Sequence, residues 1–132
     1  MTCTDLLHKL NIKPCRTEFC DIEQLFNGVV RKRVEIYNIS MKSLFSDFLM
    51  EIEVNNSGKD VITHLPNYNI SLLKSKYQKL RNLDFSDENA SENNLPVHIL
   101  LGMNDYIAIK TTKALIISQD KRPIVAEFTK IG

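Results

Sequence analysis

The residues able to do chemistry are few and scattered. His8, His64 and His98, with Cys3, Cys15 and Cys20, are the side chains that could pair a nucleophile with a base. None of them stands in a nucleophile-elbow context, and His98 sits in an apolar run where a satisfied core or edge imidazole is the plainer role. Cys3, His8, Cys15 and Cys20 are all zinc-type ligands, but their gaps match neither paired Cys-x-x-Cys hooks nor the tighter zinc-knuckle spacing. No metal and no other cofactor is expected. The 4 glycines are spread singly, which leaves no phosphate-cradling loop.

One stretch combines spacing with chemistry: Leu95-Pro96-Val97-His98-Ile99-Leu100-Leu101-Gly102-Met103-Asn104-Asp105-Tyr106. Residues 97–101 are mostly branched or apolar and lie between a proline and a glycine, which predicts a strand buried on both faces. Gly102 then allows a backbone path that a Cβ would obstruct, and a short helical turn follows. Asn104 or Asp105, depending on a register open by one residue, is expected to cap that helix by accepting backbone N–H bonds.

Read in this way, Leu100, Leu101 and Gly102 followed by Asn104 or Asp105 resemble the second signature of retropepsin-like aspartic peptidases. That signature is an aliphatic pair, Gly, a variable residue, then Asp or Asn. The resemblance is to the peptidase domain of BEL/Pao-type retrotransposon polyproteins in particular. There, a short helix follows the catalytic loop, as residues 4–14 would here. A helix and an acidic linker precede the signature strand, as residues 70–83 and 84–94 would, and a strand pair ending in Thr-x-x-Gly follows it, as in residues 114–132.

The resemblance implies an endopeptidase that processes a polyprotein as a homodimer, with peptide substrate held between two carboxylates. In such a dyad one carboxylate activates water while the other donates a proton to the scissile carbonyl. Each subunit supplies one Asp, from an Asp-Ser-Gly or Asp-Thr-Gly triplet. This sequence contains neither triplet; Asn56-Ser57-Gly58 has an amide in place of the acid and reads as a turn. The chain is therefore expected to be inactive alone, with no catalytic residue of its own. The alternative reading is a non-enzymatic dimerisation or partner-binding module derived from such a domain. A third reading, an unrelated small α+β hydrolase or binding domain, would be favoured by a pocket joining one of the three histidines to a Ser or Cys at hydrogen-bonding distance.

Composition sets the outer limits. With 132 residues and 43% hydrophobic content, one domain over 1–132 can bury its own core. A formal charge of +1 gives no global field for nucleic acid or acidic lipid, and no apolar run approaches a membrane span. The odd count of 3 cysteines fits reduced thiols in an intracellular, cytoplasmic setting better than a disulfide framework.

Along the chain, Thr4 would cap a helix to Leu10 whose Leu6, Leu7 and Leu10 share a face. Residues 19–25 and 29–39 predict a hairpin whose tip, Phe26, Asn27 and Gly28, occupies the position of a substrate-covering flap in the resembling family. The apolar phase slips between Ile36 and Tyr37, which predicts a bulge or a strand passing between sheets. Residues 48–54 alternate cleanly, residues 61–64 should pair back before Pro66, and Ile70, Leu73, Tyr77 and Leu80 mark the core side of a helix capped by Asn69 or Ser71. Residues 84–94 are polar and acidic, as in a flexible linker. Residues 114–118 and 124–128 predict a last hairpin around 120–122. The sum is a mainly β fold, implied by the resemblance to be a closed or partly closed retropepsin-like barrel with two short helices, truncated at both ends.

Overall fold

Alternation of apolar and polar residues builds the main sheet. In a computed structural model describing residues 1–24, 28–86, 88, 92–119 and 125–131, β1 (Arg16–Gln24) pairs antiparallel with β2 (Gly28–Lys42). The register runs from Arg16 opposite Ile36 to Gln24 opposite Gly28, and Gly28 takes the positive φ of 68° that a tight reversal favours in glycine. Of the expected hairpin tip, Phe26 and Asn27 lie outside the described residues. β3 (Leu49–Asn55) joins the other side of β2.

The phase slip in β2 is real. Val34 and Ile36 are buried, but so are Tyr37 and Ile39, so two adjacent residues, Ile36 and Tyr37, both point into protein. The slip falls where pairing with β1 ends, at Ile36. A strand that exchanges one partner for another turns its buried face there. β3 keeps a single phase, with Ile52 and Val54 buried while Leu49, Glu51 and Glu53 are exposed.

The chain divides into two compact units. The first comprises Met1–Ser40, Glu51–His64 and Pro96–Gly102; the second, Met41–Met50, Leu65–Leu95 and Met103–Gly132. In the first, the buried apolar residues are Cys3, Leu7, Val34, Ile36, Tyr37, Ile39, Ile52 and Val54. Helix α1 (Thr4–Leu10) adds Leu7 to that core but leaves Leu10 exposed, so the expected three-leucine face contributes one fully buried member. Its cap is Cys3 rather than Thr4: the Cys3 Sγ accepts from the Leu6 N–H, and Asn11, left-handed at φ 50°, closes the other end.

In the second unit, Ser43 N–H donates to the Phe48 carbonyl and closes the turn between β2 and β3. Asn69 caps α2 (Ile70–Lys76) by accepting from the Leu72 N–H. The helix predicted over 70–83 is shorter than its apolar period. Tyr77 leaves helical geometry at φ −114°, ψ 106°, and a 3-10 turn at Gln78–Leu80 then buries Leu80. No glycine or proline marks that break, so burial of Leu80 overrides the local pattern. Lys74 binds Glu88 at 2.7 Å, which ties α2 to part of the predicted linker; residues 87 and 89–91 of that linker are outside the described set. Helix α3 (Met103–Ile109) buries Ile109, and Lys130 N–H donates to the Ile109 carbonyl.

Two small sheets complete the β structure. β4 (Thr63–Pro66) pairs with β5 (Asn94–Val97), so Pro66 ends a strand rather than stopping short of it. β6 (Ile116–Ile117) pairs with β7 (Val125–Ala126), a reduced version of the predicted last hairpin, whose turn residues are not described. The fold is mainly β, as expected, with three α-helices among the described residues instead of two. A closed barrel is not formed among the described residues: the sheets hold three, two and two strands and remain separate. Strands of two and four residues cannot supply the continuous ladder that closure needs.

Residues 97–101 also differ from expectation. β5 ends at Val97, Ile99 makes an isolated bridge, Leu100 is 46% exposed, and the segment is extended without being a strand buried on both faces. Truncating Ile52 to Ala should lower unfolding free energy by about 2–5 kcal/mol, whereas Leu49→Ala should change it by less than about 0.5 kcal/mol. Urea denaturation of the two variants checks this contrast.

Candidate functional site

Of the chemistry-bearing residues of the first unit, Cys3 and His98 come together, around its first three residues. Met1, Thr2 and Cys3 run extended between two other segments. On one side the Thr2 N–H donates to the Asn55 carbonyl at 2.8 Å and the Ser57 N–H to the Thr2 carbonyl at 2.8 Å, a parallel bridge. On the other, Cys3 N–H donates to the His98 carbonyl at 3.0 Å and Leu100 N–H to the Met1 carbonyl at 2.8 Å, an antiparallel one. The Met1 ammonium donates to the Leu100 carbonyl at 2.9 Å, and Thr2 Oγ1 to the His98 carbonyl at 3.2 Å. Thr2 and Cys3 are wholly buried as a result.

This arrangement joins one of the three histidines to a thiol. The Cys3 Sγ lies 3.2 Å from His98 Nδ1 while also accepting from the Leu6 N–H at 3.5 Å. In the Nε2–H tautomer of a neutral imidazole the S–H donates to Nδ1; in the Nδ1–H tautomer the ring N–H donates to the sulfur. Geometry of this kind serves cysteine nucleophiles, but a sulfur with 0% exposure cannot meet a substrate. The pair here is a cap and a packing contact. Neither Cys15, exposed with its S–H donating to the Ile36 carbonyl, nor Cys20 joins it. Among the described residues no three His, Cys, Asp or Glu side chains gather as metal ligands, so the Cys3, His8, Cys15 and Cys20 set forms no cluster.

The signature residues divide at Gly102. Leu100, Leu101 and Gly102 belong to the first unit, with Leu100 bonded to Met1; Asn104 and Asp105 belong to the second, as the second and third residues of α3. An N-cap precedes the helix, so neither Asn104 nor Asp105 occupies the capping position that the sequence suggested. Of the flap-tip residues, only Gly28 is described, opposite Gln24.

A cleft of about 480 Å³ opens in the first unit beside these segments. Its walls are Ile22 from β1, Lys32, Arg33, Val34 and Glu35 from β2, the turn 55–58, and Met1. The turn is held by Asn56, whose Oδ1 accepts from the Thr4 hydroxyl and the Gly58 N–H, with Gly58 at φ 75°. Three nearby carboxylates accept hydrogen bonds. Arg16 donates from Nη2 to Glu53 Oε2 at 2.6 Å and also binds Glu18; Glu35 accepts from the Tyr37 hydroxyl at 2.8 Å. The hydrogen bond from Arg16 holds the Glu53 carboxyl below the usual glutamate range, and the bond to Glu35 pushes the Tyr37 phenol up. Sequence reasoning missed this cleft because 22, 32–35 and 55–58 are far apart in the chain and nothing local links them.

Comparison with family models, with curated proteins and with solved structures finds no match. No described helix is long and apolar enough to cross a membrane.

Two measurements check this geometry. Ellman's reagent should react with Cys15 and Cys20 in the folded protein and reach Cys3 only on unfolding. NMR titration should put the Glu53 midpoint below 4.5, and Arg16→Ala should return it toward that value. Because the folded carboxyl binds its proton less readily than the unfolded one, any stability from this exposed pair is present above the ordinary glutamate range. It is lost as pH falls through the folded midpoint.

Proposed function

We propose that this chain forms the body of a retropepsin-like aspartic peptidase domain of the BEL/Pao retrotransposon type. It lacks the catalytic Asp-Ser/Thr-Gly and is inactive alone; a complete parent would cleave polyprotein as a homodimer. The observation that carries the reading is the antiparallel pairing of residues 1–3 with 98–100, directly ahead of Gly102 and α3. In the resembling family the aliphatic-pair-Gly segment runs next to the chain that leaves the catalytic loop, and here the aliphatic pair lies next to the opening residues.

An acid reaching this site would have to arrive on residues joined ahead of Met1. The Met1 nitrogen already donates to the Leu100 carbonyl, and a peptide N–H in its place could make the same bond. In the same antiparallel register, a segment so joined would run beside residues 101–102. Two such carboxylates, one per subunit, would share a proton and divide the roles of base and acid. The β1–β2 hairpin and the cleft beside it supply the matching substrate-side surface.

The test has two arms. The 132-residue chain should show no pepstatin-sensitive cleavage of peptides. A version extended by a segment with Asp-Ser-Gly a few residues ahead of Met1 should gain it, with concentration dependence reporting dimerisation and loss on changing that Asp to Asn. Pepstatin-sensitive cleavage by the unextended chain would overturn the assignment of the missing acid. A folded, dimeric, extended protein without activity would overturn the family reading.

A further inference from the structure

Where α2 stops, the second unit opens a cleft of about 360 Å³, a size that suits a small ligand. One wall is Tyr77, Lys79 and Leu80; another is Ile116 and Ile117 of β6 with Ala126 of β7. The break in the helix is what makes the first wall. Had helical geometry continued past Lys76, Tyr77 and Leu80 would share a face, and Lys79, two residues from Tyr77, would point to the opposite side. The extended Tyr77 and the 3-10 turn at Gln78–Leu80 bring all three to one cleft. A cation thereby stands beside apolar side chains, with Leu80 buried, Tyr77 and Ile116 half-buried and Ile117 51% exposed.

Charge on the lining has one sign. Lys76 and Lys79 line the cleft, and among the described residues no Asp or Glu does. The acids nearest in sequence to its walls are placed elsewhere. Glu88 binds Lys74, while Asp84 and Glu127 line a separate cleft with Phe85 and Phe128, where Glu127 accepts from the Tyr106 hydroxyl at 2.6 Å. Asp120, like Lys121 and Arg122 after it, falls outside the described residues. Arg81 donates back to the Lys74 and Ser75 carbonyls, which the end of α2 leaves without helical partners, and the Lys76 ammonium lies 5.0 Å from the centre of the Tyr77 ring. Among the described residues Lys79 has no ion-pair or hydrogen-bond partner.

These features select the occupant. A peptide adding as a strand would find a ladder of only two residues at β6, and a cation would be repelled by both lysines. We propose that this cleft binds a small amphipathic anion, a carboxylate on an apolar chain, with the chain against Tyr77, Leu80 and Ile117 and the carboxylate at Lys79. This goes beyond the peptidase reading, and neither depends on the other.

The test is titration of the 132-residue chain with octanoate, octanol and octylamine, followed by NMR methyl shifts of Leu80, Ile116 and Ile117. Octanoate should shift these residues and bind roughly two- to fivefold more tightly than octanol, as suits one solvent-facing charge pair, with octylamine weakest. Lys79→Glu and Lys79→Met should each remove the advantage of octanoate over octanol, whereas Lys59→Glu in the first unit should leave it unchanged. Circular dichroism confirms that these exposed-site variants are folded. An advantage that persists in both Lys79 variants, or equal affinity for all three probes, would overturn selection by Lys79. No shift at Leu80 or Ile117 with any probe would overturn the cleft as a binding site. Tighter binding of an Ala-Leu-Leu tripeptide with a free carboxylate than of octanoate would overturn the small-molecule occupant in favour of a protein terminus. The peptidase reading is decided separately, by cleavage with the extended chain.

Discussion

An extended segment of three residues, Met1 to Cys3, hydrogen-bonded along both edges, is the constraint on which the first unit depends. A buried backbone N–H or carbonyl left without a partner costs about 1–3 kcal/mol, so wholly buried residues such as Thr2 and Cys3 can exist only where neighbours supply partners on each side. The turn 55–57 supplies one side and residues 98–100 the other. These three segments are remote in sequence, so the pairing fixes the topology of the unit. It also sets the start of α1, because Cys3 is at once the last residue of the segment and the cap of the helix.

From that constraint follow the properties of the neighbouring surface. Anchoring of Thr2 against Asn55 and Ser57 holds the turn after β3 in position, and the turn forms one wall of the cleft whose other wall is the edge of β2. β2 is long enough to serve two partners in succession, and its change of buried face between Ile36 and Tyr37 is the physical sign of that exchange. The stretch beyond the reach of β3 is left with an open edge.

The Cys3 and His98 contact shows why proximity alone does not make a catalytic pair. At 3.2 Å, the sulfur and imidazole are near enough for proton exchange. Access is what fails. The segment that brings the thiol to His98 also seals it from solvent, and among the described residues no buried side-chain nitrogen or oxygen is left without a hydrogen-bond partner. A nucleophilic site keeps an unfilled place for the reacting atom; this contact does not.

Local residue chemistry determined much of the secondary structure. The alternation of 48–54, the phase slip at Ile36 and Tyr37, the Asn69 cap and the reversal near Gly28 could be read because each depends on near neighbours and a fixed period. The lack of a catalytic Asp-Ser/Thr-Gly was equally plain. The sequence could not reveal that α2 would stop at Tyr77, that strands at 63–66, 116–117 and 125–126 would be too short for closure, or that 97–101 would lie half-exposed. Those outcomes turn on partners distant in the chain. The same holds for the pairing of Thr2 with Asn55 and Ile99, and for the cleft beside Lys32: hydrogen-bond partners and open edges are properties of which strands meet, and only tertiary packing decides that.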